Sequence, residues 1–184
     1  AYAQPQRTGP PRLSISLLFP PICAACALVA NGLWGTLPTS SCLGYLALGL
    51  LFWSVEEYLL HRFVFHVRII GTRYIYDQHD AHHIDNSTAL DASPGFIPHL
   101  VPLVLPYRLL LHAWLPALLC TFGTFVGYCL YELAHCLIHS NRRGGRLLRR
   151  LRRHHMHHHR QPDGRFGVTS PLWDLILGTG RKGA

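Results

Sequence analysis

The sequence predicts an all-α integral membrane protein: about four transmembrane helices and a cytosolic helical cap holding a histidine-rich di-metal site. Three observations predict it: long runs without charge, arginines confined to certain loops, and histidines grouped at helical spacing. The chain has 184 residues, 49% hydrophobic and only 14% charged, against about 25% charged in an average soluble protein. That length suits one domain, so residues 1–184 are read as a single membrane domain.

The spans come first. Ile15 to Trp34 carries no charge, and neither does Thr36 to Val55. A third apolar region runs from Phe96 to Tyr131, broken by Arg108 and His112. A bilayer core takes roughly 20 apolar residues per helix, so the third region holds two helices, with a tight turn expected near Leu115-Pro116. A soluble protein would have to hide about half of this chain inside the other half. A signal peptide is a weaker reading of the first stretch, which contains Pro20-Pro21 and is followed by more apolar spans.

Arginine gives the orientation. Arg7 and Arg12 precede the first span, and Arg62, Arg68 and Arg73 follow the second. The densest run, from Arg142 to Arg160, follows the last. Loops rich in Lys and Arg stay cytoplasmic, which places both termini and residues 61–95 in the cytosol. Residues 61–95 read as surface helices with a loop at Asp85 to Gly95. Residues 140–160 read as a turn at Asn141 to Gly145 and a basic helix, broken at Pro162 to Gly164. The net charge of +8 and this polybasic run suit anionic lipid head groups or an acidic electron donor. Beside a membrane span and a histidine cluster, nucleic acid is not the expected partner.

The six cysteines lie mostly in apolar segments and read as small apolar residues rather than as a disulfide framework. The histidines carry the chemistry. Of 14, 12 sit in four groups: His61 and His66; His79, His82 and His83; His135 and His139; and the run from His154 to His159. Residues three and four apart share a helix face. The second group has that spacing, the third is i, i+4, and His155, His158 and His159 repeat i, i+3, i+4. His61 and His66, five apart, lie roughly 140° apart on an ideal helix and need a helix end or two metals to serve together. Isolated His99 and His112 are expected to be satisfied core residues. Imidazole suits zinc, copper, iron and nickel. Ten imidazoles are too many for one ion, and two ions with five each would keep an open position for oxygen chemistry. A structural zinc site would close with four ligands.

These boxes, HRFVFH, HDAHH, HCLIH and HHMHHH, resemble those of the fatty acid hydroxylase superfamily, which also contains sterol desaturases. The resemblance runs from about Glu56 to Gly180. The flanks EEYLLHRFVFH, GYCLYELAHCLIH and FGVTSPLWDLILGT look most like fatty acid 2-hydroxylases. The resemblance implies two iron ions, for which zinc could substitute, O2 as co-substrate, and two electrons from cytochrome b5 or a reductase. No heme domain is fused within the 184 residues, so the donor is expected to be a separate protein. It implies hydroxylation next to the acyl carbonyl of a fatty acid or sphingolipid chain, at the endoplasmic reticulum if the source is eukaryotic. The expected ligands are His61, His66, His79, His82, His83, His135, His139, His155, His158 and His159. The fourth box also admits His154-His157-His158, although the preceding LRRHHM favours the later register. Glu57, Asp80, Glu132 and Asp174 are candidates to orient imidazoles, and Phe166 and Trp173 to line the substrate's approach. A sterol desaturase or methyl oxidase, or a carotenoid or alkane hydroxylase, would use the same metals. A histidine-rich metal transporter would place its ligands midway through its spans, whereas these gather at one end.

Overall fold

The computed structural model describes residues 35, 37–85, 103–140 and 143–181. The first predicted span, most of the loop after Asp85, and His99 lie outside them. The described residues form helices and turns, with no strand among them. In chain order the α-helices are α1 Thr39–Leu59, α2 Arg73–Ile84, α3 Val104–Leu111, α4 Trp114–His139, α5 Arg146–Arg160 and α6 Leu172–Ile176. A π-helical turn, Leu60–Phe65, extends α1, and a 3-10 turn follows α6 at Thr179–Arg181. Two of these helices are long and apolar enough to cross a membrane, Thr39–Phe65 and Trp114–His139.

The chain divides into two compact units. Among the described residues, one comprises 35, 37–55 and 103–130, and the other 56–85, 131–140 and 143–181.

The first unit is built on close backbone approach. A Cβ on Gly123 would lie 2.1 Å from the Leu46 carbonyl oxygen, and one on Gly49 would lie 2.0 Å from that of Cys120. Gly127 meets the Trp53 side chain in the same way. Gly123 and Gly127 are four apart on α4, the small-residue spacing that lets helices touch when lipid supplies no hydrophobic drive. Thr124 closes the contact, donating to the carbonyls of Gly49 and Cys120, both at 3.2 Å. Tyr107 on α3 is buried with Ala117 and Cys120 and reaches Thr124 Oγ1 at 2.8 Å. Leu43, Leu51, Leu105 and Leu109, by contrast, point outward, as lipid-facing side chains would.

The turn between α3 and α4 falls at His112-Ala113 rather than at Leu115-Pro116. Pro116 is the third residue of α4, where an amide would have no helical partner, so proline costs nothing there. His112 ends α3 in the left-handed region, φ 53°, its amide bonded to the Arg108 carbonyl at 3.0 Å. It is exposed, so the expectation of a buried core histidine fails: this residue serves the backbone turn.

In the second unit, α5 buries Leu151, His155 and His158 along one face. Arg143, Arg146, Arg149, Arg150, Arg153 and Arg160 stay exposed. Arg152 differs from the other arginines of α5. Its guanidinium donates to the carbonyls of Ile138 and Leu137, both at 2.8 Å, and of Ser140 at 2.9 Å. These are carbonyls at the end of α4, which lack helical partners, so Arg152 caps the helix that carries His135 and His139.

Candidate metal centre

The ten histidines singled out in the sequence converge as two groups of five. His61, His66, His79, His83 and His158 form one, and His82, His135, His139, His155 and His159 the other. Within each group, one ring nitrogen per residue lies within 4.8 Å of all the others. The groups adjoin, with the rings of His83 and His159 stacked at 4.3 Å between centroids.

The helices explain the division. On an α-helix, residues four apart differ by roughly 40° and residues three apart by roughly 60° in the opposite sense. The i, i+4 pairs therefore stay together: His79 with His83, His135 with His139, His155 with His159. The i+3 residues His82 and His158 turn to the other group. His61 and His66 lie in one group because the chain between them is π-helical. An i→i+5 turn brings residues five apart to about the same face. Residues 61–65, expected as a separate surface segment, thus continue the α1 rod. His154 and His157 belong to neither group.

The donor set fits metal ions. Two nitrogens roughly 2.1 Å from one ion and at right angles would lie about 3 Å apart. The Nε2 atoms of His66 and His79, of His79 and His83, and of His66 and His158 are each 3.0 Å apart. In the second group His135 and His155 approach to 2.9 Å, and His155 lies 3.0 Å from both His139 and His159. Protonation at these facing atoms would be repulsive, and burial compounds it. Burial and neighbouring rings hold His79 and His155 well below the ordinary histidine range. The same causes lower His66 to about 4 and His159 to about 2. Burial lowers His158 to about 3, against the pull of the Gly164 carbonyl. These imidazoles are neutral at physiological pH, the form that binds metal.

Two rings have a fixed tautomer. His61 Nδ1 donates to the Phe166 carbonyl at 2.5 Å and His158 Nδ1 to the Gly164 carbonyl at 2.8 Å. A carbonyl only accepts, so the proton sits on Nδ1 and Nε2 keeps its lone pair for the group's centre.

Two of the four carboxylates expected to orient imidazoles bond none of the ten grouped rings directly. Glu57, buried, accepts the amides of Val168 and Thr169 at 2.7 and 2.9 Å, and the Thr169 hydroxyl. Asp174, fully buried, accepts from Phe166 and Gly167 amides at 2.9 and 2.8 Å, Thr179 Oγ1 at 2.6 Å and His154 Nε2 at 2.9 Å. Burial pushes its pKa up, but these four donors outweigh burial and hold it below the usual carboxylate range. Both therefore bind the backbone of residues 166–169, and the one imidazole bonded, His154, lies outside both groups. Asp80 is exposed beside His83, and Glu132 is buried.

Residues that the boxes did not flag complete the arrangement. Thr179 gives its hydrogen to Asp174, so it accepts from Tyr58 at 3.0 Å, and Tyr58 in turn accepts from Arg62 at 2.9 Å. A cavity of about 540 Å³ opens onto His66, His79 and His83, with Arg62, Tyr76 and Phe166 in its wall. Of the two residues expected to line the substrate's approach, Phe166 lies in this wall and Trp173 does not.

Comparison with known proteins agrees with this picture. A sequence model of the fatty acid hydroxylase family matches residues 46–179. The chain is 31% identical over 153 residues to fatty acid 2-hydroxylase of Mus musculus, covering 78% of this chain and 41% of that protein. It is 32% identical over 144 residues to dihydroceramide fatty acyl 2-hydroxylase FAH2 of Arabidopsis thaliana, covering 72% of this chain and 59% of that one. The chain thus spans about half the length of these relatives. A solved structure, full-length scs7p with only its hydroxylase domain visible, superposes with a TM-score of 0.75 at 25% identity. That match covers 89% of this chain and 64% of the other. Family match, shared fold and the doubled histidine cluster lead to one assignment: the chain belongs to the fatty acid hydroxylase family.

Proposed function

We propose that this chain is the catalytic domain of a membrane-bound di-iron oxygenase that hydroxylates a lipid acyl chain at carbon 2. The substrate is a fatty acid or the acyl group of a sphingolipid. The observation that carries this reading is the pair of adjoining five-nitrogen groups. Five neutral ligands satisfy an ion yet leave an octahedral one with a position to spare, which a closed structural zinc site lacks. The relatives named for acyl 2-hydroxylation support the choice of carbon and of lipid.

His61, His66, His79, His83 and His158 would hold one ion, and His82, His135, His139, His155 and His159 the other. Two iron ions so held would supply oxygen activation and one-electron chemistry, with O2 as co-substrate. The chain's own contribution is to hold the imidazoles neutral, fix the tautomers of His61 and His158 and shape the dry space around them. The cavity beside His66, His79 and His83 gives the reacting carbon its approach. Its wall offers a guanidinium and a phenol for the polar end of the lipid. The apolar helices form a four-span bundle under a cytosolic cap, with both termini cytosolic and, in a eukaryote, in the endoplasmic reticulum. Cytochrome b5 or a reductase delivers two electrons at the exposed arginine face of α5.

Lipid mass spectrometry on cells expressing this chain, beside a His82→Ala, His158→Ala double variant, tests the reading. A gain of about 16 mass units on acyl chains in the wild type alone supports hydroxylation, and fragmentation locates the carbon. A loss of two hydrogens instead would replace it with desaturation.

A further inference from the structure

We propose that Glu57 and Asp174 are positioning residues for one histidine group only, acting through the backbone of residues 164–169. The proposal rests on reading that group, His61 with His66, His79, His83 and His158, as a metal site.

Residues 165–167 carry no regular secondary structure, and no helix or strand orders the chain from Gln161 to Pro171. Its amides therefore need other acceptors. Four consecutive amides find them in two buried carboxylates: Phe166 and Gly167 in Asp174, Val168 and Thr169 in Glu57. The same backbone supplies the two carbonyls that orient His61 and His158. A carbonyl orients a ring only as firmly as its own chain is held. Glu57 is also four residues before His61, so α1 and the π-helical turn that extends it grip the segment twice, once as acceptor and once as donor.

The peptide unit between Phe166 and Gly167 is the sharpest part of this device. Its N–H donates to Asp174 and its C=O accepts from His61. Hydrogen bonds in such a chain polarise one another. Asp174 thereby makes His61 a better electron donor, as a carboxylate bonded directly to a ligand histidine does. The Gly164–Arg165 unit has the same form, with its C=O on His158 and its N–H on the Thr179 carbonyl at 3.2 Å. Three rings of the second group are held differently. Among the described residues no protein atom accepts from Nδ1 of His135, His155 or His159. Those rings are carried directly by α4 and α5.

Loosening the segment should therefore weaken one ion and spare the other. The test uses the full chain in detergent micelles, loaded with Co2+ and dialysed against a weak chelator, with metal per chain measured by mass spectrometry. Wild type should retain about two ions. Glu57→Gln and Asp174→Asn should retain about one, the lost ion binding ~10- to 100-fold more weakly. Adding His79→Ala to Asp174→Asn should remove nothing further, whereas adding His135→Ala should remove the second ion. Thr169→Val, which deletes only the hydroxyl bond to Glu57, should show a smaller loss, restored in Thr169→Ser. That series decides the matter if Asp174→Asn does not fold. Loss of both ions together, loss of neither, or a further loss with His79→Ala would overturn the proposal while leaving the di-metal reading intact. A folded wild-type chain holding fewer than two ions would overturn both.

Discussion

Asp174 and His61 are joined through one peptide unit, the N–H of Gly167 facing the carboxylate at 2.8 Å and the C=O of Phe166 facing the imidazole at 2.5 Å. Gly167 is the only residue type that fits there. A Cβ would lie 2.0 Å from the Ser170 carbonyl oxygen and 3.1 Å from Asp174 Oδ2. Gly167→Ala should therefore displace the segment, lower the apparent metal content and cost about 1–3 kcal/mol of stability. Thermal unfolding with and without Co2+ checks it. The penalty should be larger in the metal-loaded chain.

The division into two groups makes a sharper prediction for the fourth box. His155→Ala, His158→Ala and His159→Ala should each lower the proposed hydroxylation by at least about 100-fold, as removing a ligand exceeds the effect of removing its hydrogen-bond partner. His157→Ala, outside both groups, should keep most activity and both ions. His154→Ala should fall between, because it removes one of Asp174's four donors. Product formation and metal content measured together distinguish the three cases.

Packing of α1 on α4 should respond to side-chain volume at two glycines and ignore a third. Gly123→Val and Gly49→Val would drive a side chain into backbone oxygen and should cost about 1–3 kcal/mol or more. Gly44→Ala meets nothing within 4 Å and should be neutral or slightly stabilising, since alanine favours helix. Denaturation in mixed micelles reads all three.

Acid should destabilise the metal-free chain. Unfolded histidines take up a proton near pH 6.5, whereas folded His66 waits until about 4 and His158 until about 3. Below pH 6.5 the unfolded chain binds more protons, so stability falls with falling pH by about 1 kcal/mol per such ring per pH unit. Above 6.5 these rings contribute no slope. Melts at pH 8, 6.5 and 5 should show a flat upper interval and a steep lower one. Bound metal keeps the folded rings unprotonated, so the lower interval should stay at least as steep in the loaded chain.

Much of the site was legible because ligand spacing is a one-dimensional property. The i, i+4 pairs on α2, α4 and α5 announce shared faces, and the later register of the fourth box follows from what precedes it. How the boxes divide between the groups was less legible. His82 and His158 leave their own boxes because of a rotation of opposite sense, which counting residues does not reveal. The bond partners of His61 and His158 are backbone carbonyls, and a carbonyl has no letter in the sequence. Glu57 and Asp174 were visible as acids near the boxes, but not as acceptors for amides over 100 and 7 residues away. In the fold, Pro116 drew attention to the wrong end of a turn, since proline suits a helix start as well as a break. His112 looked like a core residue because its neighbours are apolar, and its left-handed backbone is a property of the turn.

The π-helical turn at Leu60–Phe65 has an implication for how this chain tolerates change. Deleting one residue between His61 and His66 would leave an i, i+4 pair and allow an unbroken α-helix, a shape with better backbone bonding. The shortened rod would be the sturdier object and would keep the two imidazoles on one face, but it would re-set Arg62, Phe63 and Phe65, which line the cavity. Selection for robustness alone would erase this turn. Its persistence in any descendant of this sequence would mark lineages in which turnover, and not durability, is what is being kept.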